Sequence, residues 1–111
     1  MVVFSNMAVD GTSGLSRETE DLLVEIWPYS RENGVGSWAD EGSSLDVGVT
    51  GEHEMPVATI AGNRAGLRSL ARYLLTLADE RTPVGRHFDF DRDRGTLSED
   101  TRAELRLELH A

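Results

Sequence analysis

Asp89, Asp91 and Asp93 alternate through the run DFDRDRG, and Asp100 stands twelfth counting from Asp89. A calcium loop uses acids in this alternation but needs glycine at the sixth place and glutamate at the twelfth. Arg94 and Asp100 hold those places here. If the run is a strand, its three carboxylates lie in a row about 6–7 Å apart and do not converge on an ion. His53-Glu54 opens like the zinc motif H-E-x-x-H but reaches Val57 where the second histidine belongs. His87 and His110 would approach each other if the last two strands pair, and with Asp89 they would make only a thin ligand set. No metal and no cofactor are expected.

Other chemistries fail on composition or context. All 11 basic residues are arginine. Without lysine there is no Schiff base, phosphate-loop lysine or lysine general base. Without cysteine there is no disulfide, thiolate ligand or thiol nucleophile. No serine sits in a G-x-S-x-G elbow. Gly34-Val35-Gly36 has Ala39 where a dinucleotide fingerprint needs a third glycine. Acid pairs are abundant, but none is singled out by its spacing. The sequence therefore reads as that of a binding protein, not an enzyme.

The elements that would position these side chains can be read from periodicity. Leu22–Tyr29 is rich in β-branched and aromatic residues and reads as a strand, with Pro28 marking its end or a sheet edge. Residues 30–44 form a long glycine-rich connection. Ser44–Thr50 and Met55–Ala61 read as strands about a turn at GEHE. Asn63 is a favoured N-cap, and Leu67, Leu70, Ala71, Leu74, Leu77 and Ala78 recur on one stripe of a helix over about 63–80. Arg64, Arg68 and Arg72 stand four apart on another face, placed to pair with Asp79 or nearby acids or to be solvated. Gly85–Asp93 and Arg102–His110 alternate as half-buried strands. The expected fold is α+β, a small antiparallel sheet with one main helix on one face, in a single domain over 1–111. Residues 1–6 precede a second methionine, Met7, and read as an extension of that domain. Asp10–Asp21 reads as a loop.

One face of the sheet would lie under the helix and carry Leu22, Val24, Ile26, Leu45, Val47, Phe88, Phe90, Leu105, Leu107 and Leu109. The other would show Leu23, Glu25, Trp27, Tyr29, Asp46, His87, Asp89, Asp91, Glu104, Arg106, Glu108 and His110, an acidic surface with aromatics at one end. Twenty acids against 11 bases give a net charge of −9. That charge disfavours nonspecific attachment to nucleic acid or anionic membrane and favours a basic protein partner. No targeting segment or membrane span is visible, and the expected compartment is the cytoplasm.

The run GNRAGLRSLARYLLTLAD (Gly62–Asp79), followed by PVGRHFDFD (Pro83–Asp91) and AELRLELH (Ala103–His110), resembles the immunity protein family thirty-two of bacterial polymorphic toxin systems. Gly62, Asn63, Gly66, Leu67, Leu70, Ala71, Leu74, Leu77 and Ala78 match its helix motif, and Gly85, His87 and Asp91 match its next strand. The resemblance implies a small cytoplasmic protein that binds and neutralises a cognate toxin, and it supplies no catalytic residues. The expected contact is anchored by Trp27, Tyr29 and Trp38. Glu25, Asp46, His87, Asp89, Asp91, Glu104 and Glu108 would surround it and meet basic toxin residues. The alternative is an acidic binding or homodimerisation module that uses the same face.

Overall fold

A computed structural model describes residues 2–5, 20–51 and 55–111. Residues 52–54 of the GEHE turn, His53 and Glu54 among them, and most of the 10–21 loop lie outside these residues. The elements in chain order are β1 (Val2–Ser5), β2 (Asp21–Val24), β3 (Leu45–Thr50), β4 (Val57–Gly62), α1 (Arg64–Ala78), β5 (His87–Phe90), a 3-10 turn (Arg92–Arg94) and β6 (Leu105–Glu108). The class is α+β with antiparallel pairing and one main helix. The strands form three two-stranded ribbons, β1–β2, β3–β4 and β5–β6. Val2–Ser5, read from the sequence as an extension, supply the strand that pairs with β2.

The central cluster is Leu45, Val47, Leu70, Phe90 and Leu97, with Tyr73, Phe88, Ala103, Leu105 and Leu107 packed against it. Tyr73 meets Phe88 and Phe90 edge-on, each with ring centroids 4.8 Å apart. Such pairs add to the roughly 1.5–3 kcal/mol that burial of each large apolar side chain contributes. The inward positions named from alternation on β3, β5 and β6 do point into this core.

Two sequence expectations need correction. The helix stripe is displaced, because Leu67 and Leu74 are exposed and the buried positions are Gly66, Ser69, Leu70, Arg72, Thr76 and Leu77. Gly66 and Ser69 lie where the chain of residues 40–45 crosses the helix, whereas the carbonyl of buried Thr76 accepts from the Thr82 hydroxyl (2.7 Å). Ser69 donates to Ala65 O (2.7 Å) and accepts from Asp40 N (2.7 Å), so its burial leaves the hydroxyl satisfied. The strand read over Leu22–Tyr29 stops at Val24. Beyond it the Glu25 carbonyl accepts from Arg72 Nε (3.1 Å), a side chain instead of a neighbouring strand.

The start of α1 explains the spacing Gly-Asn-x-x-Gly. Asn63 Oδ1 caps the helix by accepting from Gly66 N (2.7 Å), and it also accepts from Ser44 N (3.1 Å). Asn63 N donates to Ser44 O (3.2 Å), and its Nδ2 donates to Gly42 O (2.8 Å). One residue thus ends a strand, caps a helix and holds the incoming loop. A Cβ on Gly62 would lie 2.6 Å from Ser44 O, and one on Gly66 would collide with the same oxygen. Both glycines are there because the backbone of Ser44 passes too close for any side chain.

At the other end, Asp79 opposes the helix dipole, and its carboxylate is held by Arg81 through Nε (2.7 Å), Nη2 (2.8 Å) and the backbone N (3.0 Å). The hydrogen-bonded Arg81 side chain lowers the Asp79 pKa from 3.8 to about 2, against an opposing effect of burial. A depressed carboxylate stabilises the fold above its unfolded pKa, and that contribution is lost as pH falls through the folded value. Wild type should therefore exceed Asp79→Asn in urea midpoint at pH 7, and the two should converge as pH drops from 4 to 2. Urea titrations at the two pH extremes check this, and a constant gap would contradict it.

Candidate functional site

Trp27 is 58% exposed, yet its ring is fixed from beneath. It meets Trp38 with centroids 4.7 Å apart and planes at 46°, and it passes over Gly36. Trp38 is half-buried, with the Arg72 guanidinium 4.4 Å from its ring centre. Arg72 is itself buried, and its Nη1 donates to Asp40 Oδ1 (2.8 Å) and to Trp38 O (3.4 Å). The result is a column from Asp40 through Arg72 and Trp38 to the open ring of Trp27. Cation–π contact and the desolvated ion pair fix the base of the column.

The sequence offered the row of Arg64, Arg68 and Arg72 either pairing with Asp79 or nearby acids or solvation. Asp79 belongs instead to Arg81, and Arg72 pairs with another acid, Asp40. Residues four apart on a helix drift by about 40°, so the row rotates from the solvent side at Arg64 toward the packed side at Arg72. That drift was the available signal.

Tyr29 joins this segment to the β5–β6 ribbon. Its ring lies 5.3 Å below the Arg86 guanidinium, and its hydroxyl accepts from Arg86 Nη2 (3.4 Å). On the outer face of the ribbon, His87 stands opposite Glu108 and Asp89 opposite Arg106. Arg106 Nε donates to Asp89 Oδ1 (2.6 Å), and His87 Nδ1 lies 3.3 Å from Asp89 Oδ2. Asp89 raises the Arg106 pKa above its ordinary value, and Glu108 adds to the effect. This face mixes both signs, with Arg106 standing among the acids as the alternation placed it.

The remaining acids lie elsewhere. Asp46, on β3, accepts from the Ser98 hydroxyl. Asp91 caps the 3-10 turn by accepting from Asp93 N (3.1 Å), which ends β5 at Phe90 and breaks the strand read through Asp93. Glu104 accepts from Arg92 N (3.1 Å). These three brace the 91–104 connection. The structure thus joins Trp27 and Trp38 through Arg72 to the Glu25 carbonyl, while Tyr29 contacts Arg86 at the start of the ribbon bearing His87, Asp89 and Glu108. Among the described residues, no three of His, Cys, Asp and Glu gather where they could hold a metal ion.

The architecture is that of a small α+β protein that presents one large exposed aromatic ring, Trp27, supported from beneath by Trp38. Residues 57–108 match the sequence model of the family described as Immunity protein 32. The match runs from β4 through β6, just under half of the chain, and bears out the resemblance carried by the helix motif and the His87 strand. It includes Gly62, Asn63 and Gly66, the residues that clamp Ser44. No curated protein and no solved structure matches the chain.

Proposed function

We propose that this protein is an immunity protein that neutralises a bacterial toxin by binding it in a one-to-one complex and covering its working surface, without chemistry of its own. The observation that carries this reading is Trp27, open to solvent while Trp38 and Arg72 hold it in place. A large aromatic already fixed before contact loses little entropy on binding, which is the property of an interface anchor. The similarity to immunity proteins over 57–108 supplies the class of partner. Glu25 beside the anchor and Glu108 on the ribbon would steer basic toxin residues toward it. Asp46, Asp91 and Glu104 would contribute at the periphery. The expected site of action is the cytoplasm, and no described helix is long and apolar enough to cross a membrane.

Purification of the tagged full chain from its native host should yield a protein partner in equal molar amount, identified by mass spectrometry. A metabolite with no protein would overturn the proposal. With that partner in hand, Trp27→Ala should weaken binding by at least ~30-fold, equivalent to about 2 kcal/mol. Joint reversal of Glu25 and Glu108 to lysine should slow association at low salt and leave it nearly unchanged at high salt. Association rates indifferent to that reversal would contradict the steering role of the acids.

A further inference from the structure

The two edges of the β3–β4 hairpin differ. The outer edge of β3 is occupied: Leu45 N donates to Thr96 O (3.1 Å), Leu45 O accepts from Ser98 N (2.8 Å), Val47 N donates to Thr101 Oγ1 (2.9 Å) and Val47 O accepts from Arg102 N (3.0 Å). The outer edge of β4 has no strand beside it among the described residues, and every residue from Val57 to Ala61 is exposed.

The register shows which groups that edge presents. Asn63 N donates to Ser44 O, which makes these two a hydrogen-bonded pair. Bonded and non-bonded pairs alternate in an antiparallel ladder. Ala61, Thr59 and Val57 therefore bond to β3, while Ala58 and Ile60 aim their N–H and C=O groups away from it. Leu45 and Val47, which send their own groups outward to residues 96–102, fall on the matching non-bonded pairs. Natural edges of this kind are usually guarded by a charge, an internal proline or a bulge. The strand VATIAG has none of these, and its six-residue register with β3 is unbroken. Val57 (58% exposed), Ile60 (39%) and the adjoining Val49 (62%) add apolar surface.

We propose that this edge is a homodimer interface, in which two copies pair β4 with β4 about a two-fold axis through Thr59 and form one continuous four-stranded sheet. The occupant is a second copy because the strand is complementary to itself. Centring on Thr59 sets Ala58 against Ile60 of the second copy, and the reverse, so every outward group of these residues finds its match. A two-fold axis at Ala58 would instead oppose Ile60 to Pro56, which has no N–H to give. One at Ile60 would oppose Ala58 to Gly62, where the chain turns into α1. The lack of charge on β4 lets it meet its own copy without a local clash of like charges. The net charge of −9 on each copy opposes the approach at long range, so dimerisation strengthens with salt.

Sedimentation equilibrium of the full chain at micromolar to sub-millimolar concentration in high salt should show a dimer. Ile60→Lys should weaken it at least tenfold while the circular dichroism spectrum is kept, and Trp27→Ala should leave it intact. The chain has no cysteine, so single substitutions report proximity cleanly. Thr59→Cys should oxidise to a covalent dimer, since its Cα would face that of its copy at about 4.5 Å, within disulfide range. Val57→Cys should not, since it would lie about 13 Å from its own copy along the strand. A monomer at all concentrations, or equal cross-linking at positions 57 and 59, would overturn the proposal. A monomer whose β4 amides gain exchange protection only on adding the toxin would also overturn it and assign the edge to the toxin. The sedimentation and cross-linking outcomes do not depend on whether the protein neutralises a toxin through Trp27.

Discussion

Replacing Gly66 with alanine is expected to lower the melting temperature by about 10 °C, a loss of about 2 kcal/mol for a domain of this size. The sign is the informative part. Helix propensity alone favours alanine over glycine by about 1 kcal/mol, so a helix judged in isolation would be stabilised. Here the new methyl group would collide with the carbonyl oxygen of Ser44, which is backbone and already committed to Asn63. Either the helix start or the strand entrance must move, and movement strains the cap at Asn63. Gly48→Ala is the matched control. A Cβ at that position meets nothing within 4 Å, and its effect should stay within about 0.5 kcal/mol. Thermal melts of the two variants beside wild type decide the matter, and a stabilised Gly66→Ala protein would show that the contact with Ser44 is not maintained in solution.

Replacing Arg72 with methionine should cost about 3 kcal/mol, or roughly 15 °C in melting temperature. Methionine keeps an unbranched apolar stem like that of arginine but is shorter and offers no donors. The Asp40 carboxylate, the Glu25 carbonyl and the Trp38 carbonyl each lose a hydrogen bond. Removing one partner of a buried pair is costly mainly because the other charge is stranded. The side chain of Asp40 keeps 28% of its exposure, which places the effect at the low end for buried pairs. Asp40→Asn combined with Arg72→Met should recover part of the loss, because the stranded charge is gone. The same substitution removes the cation from beneath Trp38, so tryptophan emission should change in the folded state. Unchanged stability and emission would mean that Arg72 is solvated and not held by Asp40.

Legibility from sequence followed the range of the interaction. The helix, its Asn63 cap and the alternation of β5 and β6 depend on neighbours a few residues away, and each was readable. The identity of the buried stripe was not. Leu67 and Leu74 fit an apolar stripe as well as Leu70 and Leu77 do, and what buries Leu70 is its packing with Leu45, Val47, Phe90 and Leu97, all distant in the chain. Gly66 looks like a defect in a helix until Ser44, 22 positions earlier in the chain, is brought against it. Asp91 fits a strand pattern equally well, but its carboxylate does better capping the Arg92–Arg94 turn. At the candidate site, the exposed Trp27 and the outward acids of β5 and β6 were legible. The support of Trp27 by Trp38 and Arg72 was not, because it joins residues from a strand end, an irregular loop and a helix. The division of the strands into three ribbons also scattered the acids that a single sheet would have gathered.

The central claim is neutralisation by stoichiometric cover. It is tested most directly by titrating the purified toxin partner with the full chain and following the toxin's activity. Toxin activity should fall linearly and reach its floor at one equivalent of chain per toxin, displaced to large excess by Trp27→Ala. Activity lost at a small fraction of an equivalent would reveal a catalytic inactivator, and activity undiminished at excess would show that this protein is no inhibitor of its partner; either result would contradict the account.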